Sequence, residues 1–199
     1  MLARIASLPA LLRLWIIVFT ANAVGAALVA LLLSTPGALL PEFVEAGRVI
    51  SRHAFEMSVG QLFIRGVLAG GIVASMVWLV HAVRDSAARV FIIWVLMLMI
   101  PVADLFHCIT GFCEVVFGWL HGEGSFGQAM VFLTVVAAGN TVGGVVLVAV
   151  INYGQTRDAR VPDRDCDSLE LDWREFVTGF HVGRIPAVAP EREGGVQVS

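Results

Sequence analysis

Four stretches of this chain are too apolar and too poor in charge to stand in water. A helix rises about 1.5 Å per residue, so crossing a hydrocarbon core about 30 Å thick takes roughly 20 apolar residues. Leu14 to Leu33 holds no charged residue and stops at Ser34-Thr35-Pro36-Gly37, a strong end signal. Gly66 to Val83 is a second uncharged run, closed by Arg84-Asp85. Val90 to Leu120 is a third, interrupted in the middle by Asp104 and His107. The fourth lies inside the charge-free stretch Gly124 to Thr156. These runs predict an all-α membrane protein with four transmembrane helices, at about 11–33, 61–83, 90–120 and 127–152, the third one broken. Arg4 and Arg13 give the first run the look of a signal peptide, but its apolar part exceeds the usual h-region of about 7–15 residues. A span or signal anchor is the better reading.

The composition agrees. Charged residues make up 15% of the chain, against about 25% in a soluble domain. Residues 1–153 carry seven Arg and seven acids, whereas 154–199 carry six Arg and nine acids. The expected organisation is a transmembrane domain over 1–156 and an acidic tail over 157–199. No basic patch is available to neutralise phosphates, so nucleic acid is not an expected partner. Three Cys are too few, and odd in number, for a disulfide scaffold. Cys108 and Cys113 do not have metal-site spacing, so no metal or cofactor is expected. Four crossings put both termini on one side, with Arg4, Arg13, Arg84, Arg89, Arg157 and Arg160; Arg48 and Arg52 fall on the other. By the positive-inside rule both termini are cytoplasmic, in a bacterial-type inner membrane, and segment 34–60 faces outward. The tail is expected to be partly disordered, with a short interfacial helix within Leu169–Phe180.

A short motif recurs. Ala21-Asn22-Ala23-Val24-Gly25-Ala26 is echoed by Gly139-Asn140-Thr141-Val142-Gly143-Gly144, so Asn22, Val24 and Gly25 return 118 residues later. The first copy lies on span one and the second on span four, so the two helices run in opposite directions. Inverted repeats of this kind are a common transporter plan. Chance is the competing explanation, because Gly and Val are abundant here. An Asn facing lipid is costly, so Asn22 and Asn140 are both expected to face the protein interior. A complete inverted repeat requires two further spans ahead of Met1.

The broken third span holds the best candidates for function. Pro101 removes a backbone donor and Gly111 admits unusual backbone conformations. Asp104, His107 and Glu114 are ionisable groups within a membrane segment, which are costly unless they face water or protein. A lone His in a membrane helix often only hydrogen-bonds to a neighbour. The company of a Pro, a Gly and two acids favours a transport site. Asp104 and His107, three residues apart, share a face if the helix continues, and Asp104 then orients the imidazole. His81, near a span end, reads as interfacial.

These features resemble the formate/nitrite transporter family. Arg65-Gly66-Val67-Leu68-Ala69-Gly70-Gly71-Ile72-Val73 is similar to that family's Arg-Gly-Ile-Leu-x-Asn-Trp-Leu-Val segment of its fourth helix. Phe106-His107-Cys108-Ile109 takes the place of its Glu-His-Ser-Ile/Val signature in the broken fifth helix, and Gly139-Asn140-Thr141-Val142-Gly143-Gly144 that of its sixth-helix Gly-Asn-x-Ile-Gly-Gly. Leu14 to Leu33 then matches the third helix. The resemblance implies an aquaporin-like channel fold, an inverted repeat of three plus three helices. It also implies a homopentamer of subunits, each with a pore for small monovalent anions such as formate or nitrite. By the same resemblance His107 is the central pore His, Val73 and Ile100 are constriction residues, and Arg48 stands for a Lys before helix four. Asp104, Gly70 and Thr110 complete the expected pore set. Gly70 and Gly71 stand where the family has Asn and Trp, Phe106 where it has Glu, and Gly111 where it has Asn. The family's first two helices have no counterpart in the sequence.

The expected function is a channel or transporter rather than an enzyme. In it, His107 at a dry constriction hands a proton to a weak-acid anion, which then crosses as the neutral acid. The alternative is an N-terminally truncated, non-transporting membrane protein or accessory subunit. A haem-type redox enzyme is disfavoured, because His81 and His107 lie at different depths.

Overall fold

The computed structural model describes residues 7–147 and 173–178, and every regular element among them is helical. Contacts divide the chain into two units. One takes in residues 1–18 and 161–199; its described parts are the beginning of α1 (Leu8–Leu33) and a short helix, α7 (Trp173–Thr178). α7 falls within the 169–180 segment expected to contain a helix, and the rest of the tail lies outside the described residues. The other unit, residues 19–160, contains the remainder of α1, then α2 (Pro41–Glu56), α3 (Val59–Ala82), α4 (Ser86–Val102), α5 (Cys108–Leu120) and α6 (Phe126–Val142). α6 runs on into a π-helical turn, Gly143–Leu147.

Among the described residues, Leu8–Leu33, Val59–Ala82 and Phe126–Val146 are long and apolar enough to cross a membrane. α1 is apolar around its whole circumference: Leu14, Ile16, Leu28 and Leu32 are all exposed, while Ala26 and Ala30 are buried. A helix of that kind suits lipid rather than water. α4 and α5 are shorter, 17 and 13 residues, and stand end to end across the gap 103–107. The break expected in the third run is therefore present. The described end of the fourth run is residue 147, and 148–152 lie outside the described residues.

Local sequence explains where the helices begin. α3 and α6 each open with a capping box. Ser58 accepts from the Gln61 amide while Gln61 accepts from that of Ser58, and Ser125 and Gln128 do the same. Asp85 caps α4 by accepting from the Ala88 amide at 2.7 Å. Segment 34–60, read from the sequence only as a connection, holds α2. Its start at Pro41 suits a residue without a free N–H. Its packed face is the series Val44, Gly47, Ser51 and Ala54, spaced three or four apart. That face meets α5: a side chain at Gly47 would strike the Phe117 ring, and one at Gly118 would strike Ser51.

A seam of glycines joins α3 to α6. Gly66 and Gly70 on α3 face Gly139 and Gly143 on α6, each pair four apart. A Cβ at Gly70 would lie 2.6 Å from the Asn140 Cα, and one at Gly143 would overlap the Val67 carbonyl. In lipid, where hydrophobic burial gives no advantage between helices, such close backbone approach is a main source of attraction. The aromatic core sits beside this seam, where Phe106 meets Phe132 edge-on at 5.2 Å and Val115, Ala129 and Val136 are fully buried.

Candidate pore site at the helix break

The chain leaves α4 through a Schellman turn. The Leu105 amide donates to the Ile100 carbonyl at 2.9 Å and the Asp104 amide to the Pro101 carbonyl at 3.1 Å. Such a turn needs a left-handed residue, usually Gly. Here it is Asp104, with φ 53°. Asp is one of the few side-chain-bearing residues that visit this region.

The chain enters α5 at His107, which is extended (φ −96°, ψ 133°) and caps the helix. Its Nδ1 accepts from the Ile109 amide at 3.4 Å. A neutral ring that accepts at Nδ1 carries its proton on Nε2. Between the two ends lies a backbone with no helical ladder, and the Asn140 side chain serves its α5 end. Asn140 Nδ2 donates to the carbonyls of Phe106 (3.0 Å) and Gly66 (2.8 Å), while its Oδ1 accepts from the Cys108 amide at 2.8 Å. Three of the carboxamide's hydrogen-bonding sites are thereby used. The glycine seam makes this possible, because it brings the α6 backbone at Asn140 against α3.

Asp104 does not orient His107. The helix breaks between them, so spacing of three no longer puts them on one face. Arg65 of α3 instead donates to both the Asp104 carboxylate and its carbonyl, and His53 Nε2 of α2 lies 2.9 Å from the same carboxylate. The Arg65 guanidinium also lies 6.0 Å from the centre of the Phe106 ring. His53 does not stand out in sequence, whereas Arg65 opens the Arg65–Val73 segment and bounds the second uncharged run, with nothing local to tie it to Asp104. Glu114 does not join them either. It is exposed, near the middle of α5, on an apolar groove of about 150 Å³ that Leu33, Phe43 and Ile50 help to line.

The other expected site residues are spread out. Ile100 is buried at the end of α4, Val73 is half-buried on α3, and Thr110 is exposed in the first turn of α5. Gly70 is buried in the seam, where its lack of a side chain serves packing. Arg48 stands away from the break, with its Nη2 2.8 Å from Glu123 and Nη1 3.1 Å from Glu45. Arg52 joins it on Glu123, also at 2.8 Å. Hydrogen bonds from Arg52, and then from Arg48, hold the Glu123 carboxyl down at about 2. Of the repeated motif, Asn140 and Gly143 make close interior contacts and Gly144 lies by Ala74. Asn22 is exposed on α1, contrary to the expectation that both Asn face inward, and a side chain at Gly25 would meet open space. α1 is packed through Ala26 and Ala30, and Asn22, four residues before Ala26, lies at the edge of that face.

The family model described as formate/nitrite transporter matches residues 1–154. The chain belongs to the formate/nitrite transporter family. It is 25% identical over 152 residues to the inner membrane protein YfdC of Escherichia coli (strain K12), covering 74% of this chain and 47% of that protein. It is 29% identical over 143 residues to formate-nitrite transporter 3 of Toxoplasma gondii (strain ATCC 50611 / Me49), covering 70% of this chain and 29% of that protein. The chain thus spans about half, or less, of the length of the curated relatives it matches. No solved structure matches it. Family and apolar helices together make it a multi-pass membrane protein.

Proposed function

We propose that this chain forms part of a pore for small monovalent anions, formate or nitrite in size and charge, with His107 at its centre. The observation that carries the reading is the break between α4 and α5, bridged by a side chain. A transporter sacrifices a helical ladder inside the bilayer only where protein or a cavity surrounds the backbone, and discontinuous helices mark such binding sites. The family relation adds the substrate class, since one relative is named for formate and nitrite. In this reading α4 and α5 together make the third of four crossings, α1 and α6 are the inverted partners, and both termini are cytoplasmic. Subunits assemble as a homopentamer in the inner membrane.

The proposed step is a proton transfer. An anion inside a bilayer is costly, by several kcal/mol or more, and a neutral acid is not. His107 in its protonated form gives a proton to the weak-acid anion, which leaves as the neutral acid, and the ring is reprotonated from water. Ile100 and Val73 supply apolar walls that exclude the charged form. The test is uptake of formate and of nitrite by proteoliposomes, compared for the native chain, His107→Phe and His107→Asn. Uptake that rises with acidity in the native chain and is lost in both variants, with assembly unchanged, supports the reading. Equal, equally pH-dependent uptake in His107→Phe overturns it, as does uptake by the native chain no faster than by empty liposomes.

A further inference from the structure

We propose that His53, Asp104 and Arg65 form a proton-sensitive brace that sets the backbone of the break, and through it the position of His107. The proposal rests on the reading of His107 as the pore residue. It starts from the backbone of Asp104. The Schellman turn demands a left-handed residue, and Asp104 meets that demand with φ 53°. A side chain there costs more than Gly, and the structure shows what the side chain is kept for. Arg65 grips the residue at two points, carboxylate and carbonyl, and so fixes both its side chain and its peptide plane. His53 adds a third grip from α2, at 2.9 Å. Three residues further on, His107 caps α5. The rotation at Asp104 therefore decides where the cap residue is presented.

A guanidinium is a permanent charge, whereas imidazole is the side chain whose charge changes near neutral pH. Protonation of the imidazole adds a positive charge facing the carboxylate, and so adds coulombic attraction to the hydrogen bond. The brace accordingly tightens on acidification. The charged groups around His53 are few. The break contributes Asp104, and α3 contributes Arg65 through Asp104. On α2 itself the neighbours are Arg52, committed to Glu123 of the α5–α6 turn, and Glu56. α5 carries Cys108, Cys113 and Glu114, with His121 just past its end, and no bond from any of them to His53 is present among the described residues; α6 carries no titratable side chain. Glu123, at about 2, stays ionised throughout the imidazole range. α2 is thus held by one tether that does not change over that range and by another that does.

Amide hydrogen exchange of the whole chain in lipid nanodiscs reads the brace without any transport assay. After correction for intrinsic rates, the segment 100–112 should exchange at least about threefold faster at about pH 8 than at about pH 5.5. His53→Gln should abolish that dependence. Asp104→Ala should raise exchange at both pH values. Asp104→Asn, which tolerates the left-handed backbone and still accepts from Arg65, should stay near native protection. Full pH dependence in His53→Gln overturns the proposal, as does native protection in Asp104→Ala. Should Asp104→Ala fail to fold, the comparison of His53→Gln with the native chain decides alone. An exchange response as expected, with no anion uptake by any variant, leaves the brace standing and removes the pore reading. His107-dependent uptake without an exchange response does the reverse.

Discussion

Replacing Asn140 by Ala tests the bridging of the broken helix. The carboxamide makes three bonds: to the Gly66 carbonyl (2.8 Å), the Phe106 carbonyl (3.0 Å) and the Cys108 amide (2.8 Å). Gly66 lies well inside α3 and keeps its helical partner, so its loss is small. Phe106 and Cys108 flank the break and have no helical substitute. Leaving a buried donor or acceptor unsatisfied costs about 1–3 kcal/mol, while side-chain bonds measured inside membranes average about 0.6 and reach about 1.7 kcal/mol. Two orphaned groups then give about 2–3 kcal/mol. At about 2–4 °C per kcal/mol for a chain of this size, the melting temperature should fall by about 4–12 °C. The assay is tryptophan-fluorescence melting of the detergent-solubilised chain. Thr141→Val is the matched control, because among the described residues Thr141 Oγ1 bonds to the Ala137 carbonyl of its own helix, at 2.8 Å, and to nothing across the break. An Asn140→Ala melt no lower than that of Thr141→Val refutes the bridging role.

Two further outcomes follow from the packing and the charges. Gly70→Ala places a methyl group against the Asn140 backbone, where no flexible side chain can give way. It should cost at least about 1–3 kcal/mol, read as a lower melting temperature, while Ala138→Gly on the exposed side of α6 should cost only about 1 kcal/mol. Glu123 titrates at about 2 rather than the ordinary 4.5 because of Arg52 and Arg48. A depressed carboxyl contributes stability that is complete above about 4.5 and lost as pH falls towards about 2. Melting temperature against pH should show that fall in the native chain and a smaller one in Glu123→Gln; parallel curves would refute the clasp.

Much of the fold was legible because lipid imposes a simple rule on length and charge. The uncharged runs and the break after Pro101 both depend on residues close together in the chain. α2 was missed because it is short and carries Glu42, Glu45, Arg48, Arg52 and Glu56, so a search for long uncharged runs passes over it. Asn140 was expected to face inward, and its three bonds follow from its being polar in an apolar place. The same rule did not hold for Asn22, which is exposed at the edge of the alanine face through which α1 packs. Asp104 was tied to the wrong His, because spacing of three has meaning only on an unbroken helix. Its actual partners, Arg65 and His53, are 39 and 51 residues away in sequence, and no local pattern reaches that far.

The glycine seam also says where this molecule can move. Two helices in backbone contact have no side chains between them to change rotamer, so they cannot slide or tilt by small adjustments. α3 and α6 therefore behave as one beam, and Asn140 ties the α5 side of the break to it. Motion is to be sought in the parts that this seam does not join to the beam: α2, which packs on α5 and is tethered through Arg48, Arg52 and His53, and α4, which packs on α3. A labelling or spectroscopic pair placed across α3 and α6 should report a fixed distance at every pH. A pair from α6 to α2 should carry the signal.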